Sequence, residues 1–185
     1  MKCKIMSKKG FFITGTDTGV GKTFFASILM KKYNFDYWKP IQTGKFTEND
    51  TLYIKKKLGI ENNRFHKPIY TFKKPLSPHL ASRYEKISIS IKKIKKPNTI
   101  KPLIIEGAGG VLVPLNKKNL IIDLIKKFKL PVIIVSKSIL GTINHTLMTL
   151  EILKKNKIKV FGVVLNNVKN KKERNDHAKS IETFG

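Results

Sequence analysis

Acidic residues are scarce in this chain: 12 Asp and Glu stand against 38 Lys and Arg, a formal charge of +26 over 185 residues. Arginine is scarcer still, because only Arg64, Arg83 and Arg174 are arginine and the other 35 basic residues are lysine. A charge of this sign raises nucleic acid or an anionic membrane surface as partner. The shortage of guanidinium, the preferred group for bidentate phosphate and base contacts, argues against a specific nucleic-acid partner. The lysines are also spread along the chain, in pairs such as Lys92-Lys93, Lys126-Lys127 and Lys171-Lys172, mostly on the polar faces of helical patterns. They read as compositional drift of the source genome, with nonspecific, salt-sensitive adhesion to polyanions as the consequence. The single cysteine, Cys3, excludes an internal disulfide and fits a reducing compartment. No apolar run approaches the roughly 20 residues that span a bilayer, so no membrane role is expected. The basic N-terminus reaches the first predicted strand by Gly10, which leaves no room for a signal peptide and points to the cytoplasm.

Short apolar, β-branched runs alternate with helical patterns. Strands are predicted at Gly10–Thr14, Tyr37–Ile41, Leu103–Glu106, Pro131–Val135 and Val160–Leu165. Helices are predicted at Lys22–Lys32, Asp50–Leu58, Pro78–Glu85, Leu120–Phe128, Thr142–Asn156 and Lys171–Thr183. Several strands are continuously apolar, as befits strands covered on both faces. The alternation predicts a single α/β domain, a doubly wound and mostly parallel sheet with helices on both faces. Residues 63–98 are the least regular and read as an excursion from the sheet.

The most informative segment is Gly15-Thr16-Asp17-Thr18-Gly19-Val20-Gly21-Lys22-Thr23. It lies between the run Phe11-Phe12-Ile13 and a predicted helix. A strand, a glycine-rich turn and a helix N-terminus make an anion site of the phosphate-loop NTPase type. Its backbone N–H groups point inward, the helix dipole favours negative charge, and small residues let phosphate approach. Lys22 would reach the β- and γ-phosphates of ATP, and the Thr23 hydroxyl would bind Mg²⁺. The loop is unusual, since five residues separate Gly15 from Gly21 where the common form has four.

In such a sheet, function collects just beyond the strand ends. Lys39 follows Trp38 and precedes Pro40-Ile41-Gln42-Thr43-Gly44. In a chain with 35 lysines it is either a solvated charge or a cation aimed at the phosphate loop. Asp50 follows Glu48-Asn49 and reads either as a helix N-cap or as a carboxylate for Mg²⁺. Glu106, placed at a buried strand end before Gly107-Ala108-Gly109-Gly110, suits a second metal ligand or a solvated loop acid. Asn166-Asn167 ends the last strand, as a turn pair or as a carboxamide for an adenine edge.

Taken together, these segments resemble the dethiobiotin synthetase family, ATP-dependent cyclising enzymes of biotin synthesis. The matching residues are the loop 15–23, Lys39-Pro40 with Thr43-Gly44, Asn49-Asp50 and Tyr70-Thr71-Phe72 with Pro75. They continue with Ser77-Pro78-His79 and Ala81, Glu106 through Gly110, Leu140 through His145, and Gly162 with Asn166. They run in family order over most of the chain, and the five-residue spacing of the loop is the family's own form.

The resemblance implies roles for individual residues. Asp17, Thr18, Gly19, Val20, Gly21, Lys22 and Thr23 would bind ATP, and Thr23, Asp50 and Glu106 would hold Mg²⁺. Lys22 and Lys39 would be the catalytic cations. Thr18, Lys39, Thr43 and Gly109 would face 7,8-diaminononanoate and its carbamate with CO₂. Gly141, Thr142, Ile143 and Asn144 would bind the substrate carboxylate across a homodimer interface, and Asn166 would contact adenine. His79 belongs to the signature but reads as structural. Asn167 stands where the family usually has Asp. Family members also continue beyond the position of Gly185 with a nucleotide-contacting loop, a strand and a helix, so weaker ATP binding is expected. Two other classes stay open: a partition-type ATPase switch, against which Asp17 at the signature-lysine position argues, and a weakly active nucleotide-binding remnant.

Overall fold

A computed structural model describes residues 9–44, 49–60 and 62–185. Cys3 and Glu48, both singled out above, lie outside the described residues. The elements in chain order are β1 (Gly10–Gly15), α1 (Lys22–Tyr33), β2 (Asp36–Trp38), β3 (Ile41–Thr43) and α2 (Asp50–Leu58). There follow β4 (Phe65–His66), β5 (Tyr70–Phe72), α3 (Pro78–Tyr84), β6 (Leu103–Gly110) and α4 (Ile121–Phe128). The chain continues with β7 (Val132–Lys137), α5 (Thr142–Lys155), β8 (Val160–Asn166) and α6 (Lys171–Phe184). Six strands form a parallel sheet in the order β4-β2-β6-β1-β7-β8.

Alternation along the central strands divides the core into two halves. Phe11 and Ile13 of β1 join Tyr37, Ile104, Ile133 and Val135 against Ala26, Leu29 and Met30 of α1 and Ile54 of α2. Phe12, between them in sequence, points the other way with Trp38, Ile105 and Ile134, against Leu124 and Ile125 of α4 and Leu153 of α5. Successive strand side chains face opposite sides, so helices must cover both faces to bury such runs. The chain is thus a doubly wound α/β fold of the phosphate-loop NTPase type. Among the described residues no helix is long and apolar enough to cross a membrane.

Two segments differ from the sequence reading. The predicted strand Tyr37–Ile41 is two strands, broken at Lys39-Pro40. Proline has no N–H for a central ladder, and the Pro40 carbonyl instead accepts from the Ile69 and Tyr70 amides at 2.9 and 3.1 Å. Beyond the break, β3 pairs in parallel with β5 as a separate two-stranded sheet. The excursion at 63–98 therefore contains β4, which extends the main sheet, and β5. Glu106 does not close its strand, because β6 runs on to Gly110. The pairing of β1 with β6 slips there, from Ile13↔Glu106 to Gly15↔Gly110.

Candidate active site

The carboxyl ends of β1, β2 and β6 open onto one cavity of about 600 Å³. The phosphate loop forms its floor. Gly15 ends β1, the Thr16 amide donates to the Val135 carbonyl of β7 at 3.0 Å, and the loop turns into α1 through Gly19 and Gly21. Both glycines have left-handed backbone, φ +68° and +97°, which costs side-chain-bearing residues about 1–2 kcal/mol. Gly21 is the N-cap of α1 and offers no side-chain cap, so the first-turn amides stay free for a ligand. A Cβ at Gly21 would also run into the Asn166 carboxamide. Gly21→Ala is expected to weaken nucleotide binding by about tenfold or more, both by strain and by this collision. Calorimetric ATP titration with a thermal melt as control checks it.

Lys22 is 6 % exposed and curls back over the loop, donating from Nζ to the Asp17 carbonyl at 3.1 Å. Burial lowers its pKa, and the neighbouring Lys39 charge adds to that against the pull of Glu106, Asp50 and Asp17. The Asp17 carboxylate accepts from the Thr18 amide at 2.6 Å and thereby stiffens the loop. Val20 is buried, and its carbonyl accepts from Asn166 Nδ2 at 2.9 Å, so the end of β8 buttresses the loop.

Beside the loop lies a buried polar knot. The Thr23 hydroxyl lies within hydrogen-bond distance of Asp50 Oδ1 at 2.5 Å and of Glu106 Oε1 at 2.9 Å. Lys39 Nζ pairs with Asp50 Oδ2 and, at 3.4 Å, with Glu106 Oε1. Tyr37 Oη donates to the other Glu106 oxygen at 2.9 Å. Burial alone would lower the Lys39 pKa, but the charges of Glu106 and Asp50 and their hydrogen bonds outweigh it and hold it above the usual lysine value. Burial likewise pushes Asp50 up, and Lys39 reverses this, so its carboxyl titrates below the ordinary range. Tyr37 is raised well above the usual phenol value by burial and by the Glu106 charge. Lys39 is accordingly a buried ion-pair partner and not a solvated charge.

The N-cap alternative for Asp50 is also resolved. Asn49 caps α2, accepting from the Leu52 amide at 2.9 Å, and leaves the Asp50 carboxylate free to face Thr23. The donor set of Thr23, Asp50 and Glu106 is all oxygen, as a hard divalent cation requires. Among the described residues no group of three or more His, Cys, Asp or Glu side chains could hold a metal. The set is a carboxylate pair completed by a hydroxyl.

Thr18, Gly19, Thr43 and Gly109 line the same cavity as Lys22, Thr23, Lys39, Asp50 and Glu106. Asp17, Val20 and Asn166 support the loop from outside the cavity. Gly141, Thr142, Ile143 and Asn144 do not line it either. They open α5, with Gly141 at φ +88° as an N-cap that has no side-chain bond. Thr142 is buried and shares a 2.7 Å hydrogen bond with Ser136, which lies 3.1 Å from Thr16 of the loop. Sequence reasoning missed Tyr37, a phenol within a buried strand two residues before Lys39. It also missed Phe24, Tyr53, Leu76 and Val113 as lining residues, and it named Pro75, Ser77 and Pro78, which line the cavity too, only as matching residues without a role.

The family model described as an AAA domain matches residues 9–185. The ATP-dependent dethiobiotin synthetase BioD of Paramagnetospirillum magneticum is 44% identical over 177 residues, covering 96% of this chain and 83% of that protein. The enzyme of the same name from Lawsonia intracellularis is 46% identical over 175 residues, 95% of this chain and 82% of that protein. That from Christiangramia forsetii is 46% identical over 156 residues, 84% of this chain and 75% of that protein. With a phosphate loop, two buried lysines and a carboxylate pair facing one cavity, the chain belongs to the family of ATP-dependent dethiobiotin synthetases.

Proposed function

We propose that this chain is an ATP-dependent ligase that carboxylates 7,8-diaminononanoate with CO₂ and closes the ureido ring of dethiobiotin. The observation that supports this most directly is the convergence of Lys22, Lys39, Thr23, Asp50 and Glu106 on one cavity. One substrate amine captures CO₂ as a carbamate and releases a proton. A carbamate oxygen attacks the γ-phosphorus, ADP leaves, and a carbamic–phosphoric anhydride remains. The second amine attacks its carbonyl carbon, the ring closes, and phosphate and a proton depart.

Negative charge builds between carbamate and phosphoryl group, so catalysis rests on placement and on fixed positive charge. Lys22 reaches from the loop toward the β- and γ-phosphates. Lys39 faces the carbamate and the γ-phosphate. Thr18, Thr43 and Gly109 line the carbamate side, and the loop residues from Asp17 to Thr23 hold the phosphates. Thr23, Asp50 and Glu106 would hold Mg²⁺, which supplies further positive charge at the phosphate oxygens when bound. Asn166, with its Nδ2 spent on Val20, keeps Oδ1 for an adenine edge.

The substrate carboxylate is assigned to the uncapped N-terminus of α5, from Gly141 to Asn144, contributed by the second subunit of a homodimer. The exposed apolar residues Ile139 and Leu140 just before that helix, and Met148 midway along it, favour contact with a second copy. Formation of dethiobiotin from diaminononanoate, bicarbonate and Mg-ATP, with one ADP per product, tests the activity. Absence of product would sink the reading. Gly141→Val is expected to raise the KM for diaminononanoate more than that for ATP, and dilution below the dimer range should lower specific activity. Equal shifts in the two KM values, or a fully active monomer, would remove the shared site.

A further inference from the structure

The buried knot holds its lysine in an unexpected relation to its acids. Lys39 lines the cavity, yet its Nζ pairs with Asp50 and Glu106, the two carboxylates of the oxygen-donor set. Thr23 is turned the same way, since its hydroxyl also faces Asp50 Oδ1 and Glu106 Oε1. Of the four carboxylate oxygens, Tyr37 takes the fourth, Glu106 Oε2. Every oxygen of the pair therefore faces a hydrogen-bond donor, and one of those donors is a full positive charge.

We infer that the Lys39 ammonium and a divalent cation compete for the Asp50–Glu106 pair, so that metal binding releases Lys39 toward the cavity. The inference rests on the metal assignment above and adds an order of events to it. A cation ligated by Thr23, Asp50 and Glu106 needs lone pairs that now accept from Lys39. It would also place two positive charges beside a third in a site where Lys39 is 9 % and Glu106 is 1 % exposed. Screening is weak at such burial, so both cations cannot keep the same carboxylates. In the paired position Lys39 neutralises the acids and its charge is spent on them. Displaced, the same ammonium is free for an anion in the cavity. A single side chain thereby holds the carboxylate pair together without metal and becomes available once metal is present.

The competition predicts an effect opposite to the one expected of a positioning residue. Removing the charge while keeping the aliphatic stem, in Lys39→Met, should tighten binding of Mn²⁺ in the absence of nucleotide by roughly 5- to 150-fold, the usual range for coupled sites. Loss of the free Mn²⁺ signal in electron paramagnetic resonance reads this directly, with Lys56→Met as the control for general charge. A second measurement on the unaltered protein guards against a misfolded variant. By linkage, metal must weaken the hold on Lys39 as much as Lys39 weakens the hold on metal. Mg²⁺ should therefore speed acylation of Lys39 several-fold, read by peptide mass spectrometry, with Lys56 and Lys93 unchanged. Unchanged or weaker Mn²⁺ binding in Lys39→Met, or unchanged or slower acylation of Lys39, overturns the competition. If the unaltered protein binds Mn²⁺ and Asp50→Asn abolishes that binding, the metal assignment stands even when the competition fails. If neither form binds Mn²⁺, both fall together.

Discussion

Lys22→Ala is expected to lower turnover by about 10²-fold or more while the fold persists. The ammonium is buried at the floor of the cavity and is held in place by a hydrogen bond to the Asp17 carbonyl. Its position is therefore set before any phosphate arrives. A preorganised donor at a point of developing charge is worth roughly 2.7–4 kcal/mol of barrier, because no reorganisation is needed when the charge appears. Burial works against the charged form, and its pKa lies below the usual lysine value. Truncation thus removes an unfavourable burial together with a favourable contact, and stability should change little. Single-turnover phosphoryl transfer separates the chemical step from binding, and a urea titration checks the fold. Near-normal turnover would show that the loop does not act on the transferring phosphate.

The part of the site that was legible in the sequence is the part encoded by short-range rules. Gly21-Lys22-Thr23 after an apolar run fixes a strand, a turn and a helix start, because glycine alone tolerates the backbone of the turn and the next residues form α1. Lys39, Asp50 and Glu106 stand out by position near predicted strand or helix ends, and the structure joins Asp50 and Glu106 to Thr23 and Lys39 to both acids. What sequence could not give was the pairing among them. Asp50 and Glu106 are 56 positions apart, and the meeting of Lys39 with Glu106 depends on β2 lying next to β6, a tertiary fact without a local signal. The same holds for β4 and β5. They are two and three residues long, too short for a period, and exist because β2 and β3 offer edges to pair with. Glu106 shows the reverse error. The glycines after it read as the end of a strand, yet pairing with β1 resumes at Gly110 and carries the strand through.

Lys39→Ala is expected to reduce dethiobiotin formation below about one hundredth of the original rate, with Lys56→Ala and Lys93→Ala close to unaltered. The comparison matters because the chain carries 35 lysines, so a loss of bulk charge must be distinguished from a loss of placement. Lys56 and Lys93 are exposed, whereas Lys39 sits between two carboxylates with its pKa held up by Glu106 and Asp50 against the effect of burial. Two consequences pull in opposite directions. Truncation leaves Asp50 and Glu106 close together without a cation, and breaking a buried pair costs about 3–5 kcal/mol, so the variant should melt earlier than the original protein. A divalent cation repairs that deficit, and added Mg²⁺ should restore more of the melting temperature in Lys39→Ala than in the unaltered chain. Activity should not return with it, because in the proposed mechanism the cation that repairs the knot cannot replace an ammonium directed at the carbamate. A variant whose stability is rescued by metal and whose turnover is not would separate the two duties of Lys39, whereas parallel recovery of both would mean that its only task is to hold the carboxylates.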